Sequence, residues 1–227
     1  MILQPVAEKI LNCAKETVLA PRTCPQRTSS IARASHVRWS VHGQPADGSS
    51  ISYDGRSFRV EGAAIMTVRF RESSDEKYEV HVIPYQAAVY QDKGQLRLGS
   101  LTETGDISEK VNKRKPVAAW ADVQTQVRAA FDRCISSDHS PMPPGCPNDP
   151  NVTSTDESIW TLESDPLLNA VAEFDDDTGI THVRGSYSAH LDGIGFFGRV
   201  EETQSGDYDA RVVIGDTGAE VLDIRHT

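Results

Sequence analysis

The chain spells one pattern twice, and that repetition constrains its architecture more than any other feature. The segments VAEKILNC (residues 6–13) and VRAAFDRC (residues 127–134) each lead to a second cysteine followed by proline, Cys24-Pro25 and Cys146-Pro147. The offset between the segments is 121 positions from Val6 to Cys13 and 122 at the Cys-Pro pairs. It is 121 again from Trp39 to Trp160, and 123 where Val60-Glu61-Gly62 meets Val183-Arg184-Gly185. Small loop insertions produce drift of this size, and an ordered series of two cysteines, a tryptophan and a strand glycine exceeds chance. The pattern predicts an internal duplication into two copies of about domain size. Repeat one covers residues 1–103, a polar linker covers 104–117, and repeat two covers 118–227. A looser match sets Tyr78-Glu79-Val80 against Tyr208-Asp209-Ala210.

With 38% hydrophobic and 25% charged residues the chain can bury two small cores. No apolar run approaches the roughly 18–20 residues that cross a bilayer. The opening on a helix-like segment argues against a signal peptide at this point. The net charge of -10 is unevenly divided: up to Lys115 there are 17 Lys+Arg against 13 Asp+Glu, and afterwards 6 against 20, balances of +4 and -14. A basic and an acidic copy could attract each other, or the first could face an anionic surface. The absence of a dense basic stripe argues against nucleic-acid binding.

The cysteines fall as one close pair per copy. Their spacing lacks the short hooks of a zinc module, so a local disulfide fits better. Four cysteines allow three connectivities, and the duplication favours Cys13 with Cys24 and Cys134 with Cys146. Disulfides in turn imply an oxidising, extracytoplasmic compartment.

Each copy reads as a helix followed by an antiparallel meander. Val6, Ile10 and Cys13 share a helical face after Pro5, and Asp122 is the expected N-cap of a helix carrying Val123, Val127, Ala130, Phe131 and Cys134. Val37, Trp39 and Val41 alternate, as do Ala64, Met66, Val68 and Phe70. Ser73 to Glu76 reads as a hairpin turn, with Tyr78, Val80 and Val82 as the inward set of the returning strand and Gln95 to Leu101 as the next strand. In the second copy the acidic FDDDTG turn separates strands at Ala170 to Phe174 and Ile180 to Leu191. Further strands are expected near Phe197 to Glu202, Tyr208 to Ile214 and Glu220 to Ile224.

A helix followed by a curved antiparallel sheet of about four strands resembles the cystatin-like and NTF2-like α+β folds. The segment CAKETVLAPRTCP with the VRWSV strand resembles tandem repeats in extracytoplasmic regions of actinobacterial single-pass membrane proteins. That resemblance implies an envelope-facing location and a membrane tether outside this stretch of chain; the paired cysteines, the unequal charge and the lack of a catalytic constellation lead to the expectation of a role in envelope assembly, growth or division. It supplies no catalytic motif.

Candidate catalytic groups are few. By the alternation just given, His81 and His190 point away from the core, and Tyr78, Tyr187 and Tyr208 point into it as packing groups. Asp175, Asp176 and Asp177 are consecutive and lack calcium-loop spacing, so they read as a solvated turn. Asn151-Val152-Thr153 matches a glycosylation sequon, and Lys113-Arg114-Lys115 forms a basic cluster in the linker. No nucleophile elbow, Walker loop, paired-histidine metal motif or dinucleotide fingerprint occurs. The expectation is therefore a non-catalytic binding region without cofactor or metal, whose partner is an envelope protein or a wall or lipid component. The alternatives are a carrier or sensor of a small apolar ligand held between helix and sheet, and an NTF2-like enzyme.

Overall fold

The computed structural model describes residues 2–28, 34–105, 118–215 and 218–227. They form two compact units, Met1–Lys115 with Asp176–Gly179, and Pro116–Asp175 with Ile180–Thr227. Residues 106–117, which include the basic cluster and nearly all of the expected linker, lie outside the described residues.

The first unit opens with α1 (Gln4–Cys13), which has Pro5 in its first turn and buries Val6, Ile10 and Cys13. A disulfide joins Cys13 at the end of α1 to Cys24. There follow β1 (Ala34–His42), β2 (Ser50–Tyr53), β3 (Phe58–Glu72), β4 (Asp75–Asp92) and β5 (Gln95–Glu103). They make an antiparallel sheet in the order β1-β3-β4-β5, with short β2 also pairing β3. The second unit repeats that order of elements. Its helix α2 (Trp120–Ile135) is stapled by Cys134–Cys146, and β6 (Glu157–Leu162), β7 (Val171–Asp175), β8 (Ile180–Gly195), β9 (Gly198–Gly215) and β10 (Gly218–His226) follow. The sheet order is β10-β9-β8-β6, with β7 on β8. The architecture is thus α+β, with two helices, two curved antiparallel sheets and two local disulfides.

The central hairpins share one register. Pairs run from Phe58↔Val89 to Glu72↔Asp75 in the first and from Thr181↔Val212 to Gly195↔Gly198 in the second, displaced throughout by 123 residues. This register corrects four expectations. The position equivalent to Tyr208 is Tyr85, not Tyr78. The turn of the first hairpin is the two residues Ser73-Ser74, and Phe197 lies in the matching turn rather than in a strand. Counting back from Glu72↔Asp75 sets Met66 opposite His81 and Ala64 opposite Ile83, so the core face of β4 carries His81, Ile83, Tyr85, Ala87 and Val89. Tyr78, Val80 and Val82 occupy the other face; both faces are apolar enough for alternation to fit either way. At α2 the N-cap is Ala119, with Asp122 in the first turn, where its charge still suits the helix dipole.

The cores use equivalent ties. The Trp39 indole N–H donates to Val18 O at 2.9 Å and that of Trp160 to His139 O at 3.2 Å, so each tryptophan fastens its strand to the stapled loop. Tyr85 Oη donates to Pro45 O (3.0 Å) and Tyr208 Oη to Pro166 O (2.7 Å). Burial pushes both phenols up to about 12. The strand glycines make room for these rings. A Cβ on Gly62 would stand 2.6 Å from Tyr85 Oη and 2.2 Å from Ser49 Oγ, and one on Gly185 would stand 3.0 Å from both Tyr208 Oη and Pro166 O. Phe131 from α2 meets Tyr208 edge-on at 4.9 Å.

Gly62→Ala is expected to cost about 1–3 kcal/mol in urea unfolding and Gly185→Ala less, because the crowding at Gly62 is tighter. Replacing Cys13 and Cys24 together by serine should cost about 2–4 kcal/mol. Hydrogen exchange should show α1 amides losing protection before those of β3 and β4.

Candidate functional site

The residues singled out by sequence do not converge on one site. His81, on the core face, packs against Trp39 with ring centroids 5.8 Å apart, and its Nε2 lies 2.8 Å from Glu79 Oε2. His190 is on the opposite face of its sheet, 3.4 Å from Thr203 Oγ1. Tyr78 lies under the Arg69 guanidinium. Tyr187 Oη donates to Pro147 O at 2.6 Å and lies 3.1 Å from His226 Nδ1. Asp175 ends β7, and Asp176 and Asp177 sit in the turn to β8. Asn151 is exposed, and among the described residues no group of three or more His, Cys, Asp or Glu could hold a metal ion.

Two features that sequence reading missed stand out, both in the second unit. The first is a charge network on the face of the sheet away from α2. Cross-strand pairing sets Asp209 opposite Arg225 and Arg211 opposite Asp223. His182 Nδ1 lies 2.8 Å from Asp209 Oδ1, Arg225 closes on Asp209 Oδ2, and Arg211 Nε donates to Asp223 Oδ1 at 2.7 Å. Asp209 and Asp223 are buried. Burial pushes the Asp209 carboxyl up, but the hydrogen bonds from His182 and Arg225 outweigh it and hold it below the ordinary carboxylate range. An imidazole oriented by a buried carboxylate has the form of a general base. Its partners are strand charges satisfied by one another, an arrangement that stabilises a sheet.

The second feature is the turn of the β8–β9 hairpin and the groove next to it. Phe196 and Phe197 are 94% and 99% exposed and pack edge-on at 5.0 Å. They stand between Gly195 and Gly198, the latter at φ +119°, a conformation that glycine adopts without strain. Ile194 and Ile159, 57% and 70% exposed, continue the apolar surface onto the outer face of β8 and edge strand β6. The groove, about 530 Å³, is lined by these isoleucines and by Asp138, Asp156, Glu157 and Asp192. Arg199 also lines it, but is bound to Asp192 (3.0 Å) and Glu201 (2.8 Å). The His139 ring lowers the Asp138 carboxyl through a hydrogen bond. The site is thus an exposed aromatic tip beside an acidic, partly apolar groove.

Two disulfides suggest an oxidising, extracytoplasmic environment. No helix among the described residues is long and apolar enough to cross a membrane. No protein-family model matches the chain, and no curated protein matches it.

The Asp209 network makes a pH prediction. Its native pKa lies below its unfolded value, so its stabilisation is fully present above roughly pH 4 and is lost as pH falls through the native value. Asp209→Asn should cost about 1–3 kcal/mol at neutral pH, and urea unfolding should show that gap closing on acidification.

Proposed function

We propose that this chain is a non-catalytic binding region of a bacterial membrane protein, facing the cell envelope and built from two tandem cystatin/NTF2-like repeats. In this reading the membrane tether lies elsewhere in the full-length protein, and the region serves envelope assembly, growth or division by docking another component. The shared hairpin register, the paired disulfides and the matching Trp and Tyr ties support an origin by duplication.

The observation that carries the binding role is the Phe196-Phe197 tip. Displacement by 123 residues puts it where the first unit has Ser73-Ser74. The same hairpin therefore closes on two serines in one unit and on two exposed phenylalanines in the other. Nothing in the scaffold calls for the aromatic pair, and a contiguous exposed apolar feature on a protein surface marks an interaction site.

Photo-crosslinking in cells tests the reading. A benzophenone amino acid at position 197 of the full-length protein should yield discrete adducts with an envelope component, whereas the same group at position 74 should yield few. Equal labelling from both positions, or none from 197, would count against it.

A further inference from the structure

Resting on that reading, we infer that the β8–β9 tip and its groove dock a polypeptide segment that combines aromatic or aliphatic side chains with lysine and arginine. The apolar half of the inference follows from turn chemistry. Two-residue hairpin turns favour Gly, Asn and Asp, and phenylalanine offers the backbone no such help. Here the flanking glycines shape the turn and leave both rings almost wholly in solvent, held edge-on to each other. Each ring can remove roughly 150–250 Å² from water in a pocket.

The basic half follows from the surround. Four carboxylates line the groove, from Asp138, Asp156, Glu157 and Asp192, and its one arginine is tied to Asp192 and Glu201. The scaffold does not demand this sign. Displacement by 121 or 123 residues puts Arg38 where the second unit has Ile159, and Arg69 and Arg71 where it has Asp192 and Ile194. The acidic, apolar surface is thus a property of the second unit. It repels anionic lipid head groups, nucleic acid and the same tip on another copy, and it complements a cationic, apolar peptide segment. A contact of this extent suits a weak, transient complex with salt-sensitive association.

The test pans the full chain against displayed random short peptides, with two variants in parallel. Phe196→Ser with Phe197→Ser copies the turn of the first unit and should keep the native melting curve; Asp156→Asn with Glu157→Gln removes rim charge. Peptides enriched on the parent chain should combine aromatic or aliphatic residues with Lys or Arg. Synthesised, they should bind the serine variant roughly tenfold or more weakly, the neutralised variant a few-fold more weakly, and the parent more weakly in high salt. Enrichment of acidic or uncharged peptides, or equal binding to parent and serine variant, would overturn the inference while leaving a binding region elsewhere intact. So would phenylalanine-dependent binding to phosphatidylcholine or phosphatidylglycerol vesicles, which would make the occupant a lipid surface. Self-association in sedimentation velocity that disappears in the serine variant would make it a second copy. If the chain bound neither peptide nor vesicle and did not self-associate, both this inference and the binding role would fall.

Discussion

Everything in each unit depends on keeping a helix on a sheet that it covers incompletely. Helix α1 has ten residues and buries three side chains, well short of the length at which a helix holds together by itself in water. The Cys13–Cys24 bond limits how far its C-terminal end can leave, and the Trp39 indole ties the loop so closed to the first strand. Gln26 adds a third tie, its side-chain amide donating to Cys13 O at 2.7 Å from a fully buried position. Longer α2, with five buried residues, keeps two of these ties, Cys134–Cys146 and Trp160 to His139 O, while Asn148, at the position of Gln26, donates instead to Met142 O within the stapled loop. The sheet supplies the area for a core, and the staple decides what covers it.

This dependence explains why the scaffold was legible in the sequence. Cysteines, prolines, tryptophans and strand glycines each meet a geometric demand that few other residues satisfy, so they stand at matching offsets and reveal the repeated pattern. The Tyr–Pro ties were not legible, because a tyrosine hydroxyl and a proline carbonyl some 40 residues apart leave no local signature. The phase of β4 is legible in principle, but alternation alone points to the wrong face. Tyr78, Val80 and Val82 alternate as well as Ile83, Tyr85 and Ala87 do, and periodicity cannot choose between them. The two-residue turn at Ser73-Ser74 chooses, since it fixes Glu72 opposite Asp75 and every pair behind them. The wrong phase also points His81 away from Trp39, although the two pack together.

The surface features escaped for a different reason. Phe197 reads as the start of a strand because aromatic residues favour strands. The place of Phe196 and Phe197 in a turn follows from the glycines on either side and from the length of β8, and neither is decisive without the pairing. The charge network was hidden too, since Asp209, Arg211, Asp223 and Arg225 look like the polar side of alternating strands, and only the register sets opposite charges face to face.

Exposed phenylalanines at a hairpin tip cost the fold little, because they are exposed in the unfolded chain as well. The risk they bring is association between copies, since two such tips could bury each other. The carboxylates around the tip oppose that contact, as does the -14 balance of residues 116–227. Acidity in the second unit therefore has two electrostatic consequences: it opposes contact between like tips, and it favours the approach of cationic surfaces. The +4 balance up to Lys115 accompanies a serine turn with no apolar tip to shield. The same scaffold thus carries opposite surfaces because hairpin turns and outward-facing strand positions take no part in the ties that hold helix to sheet.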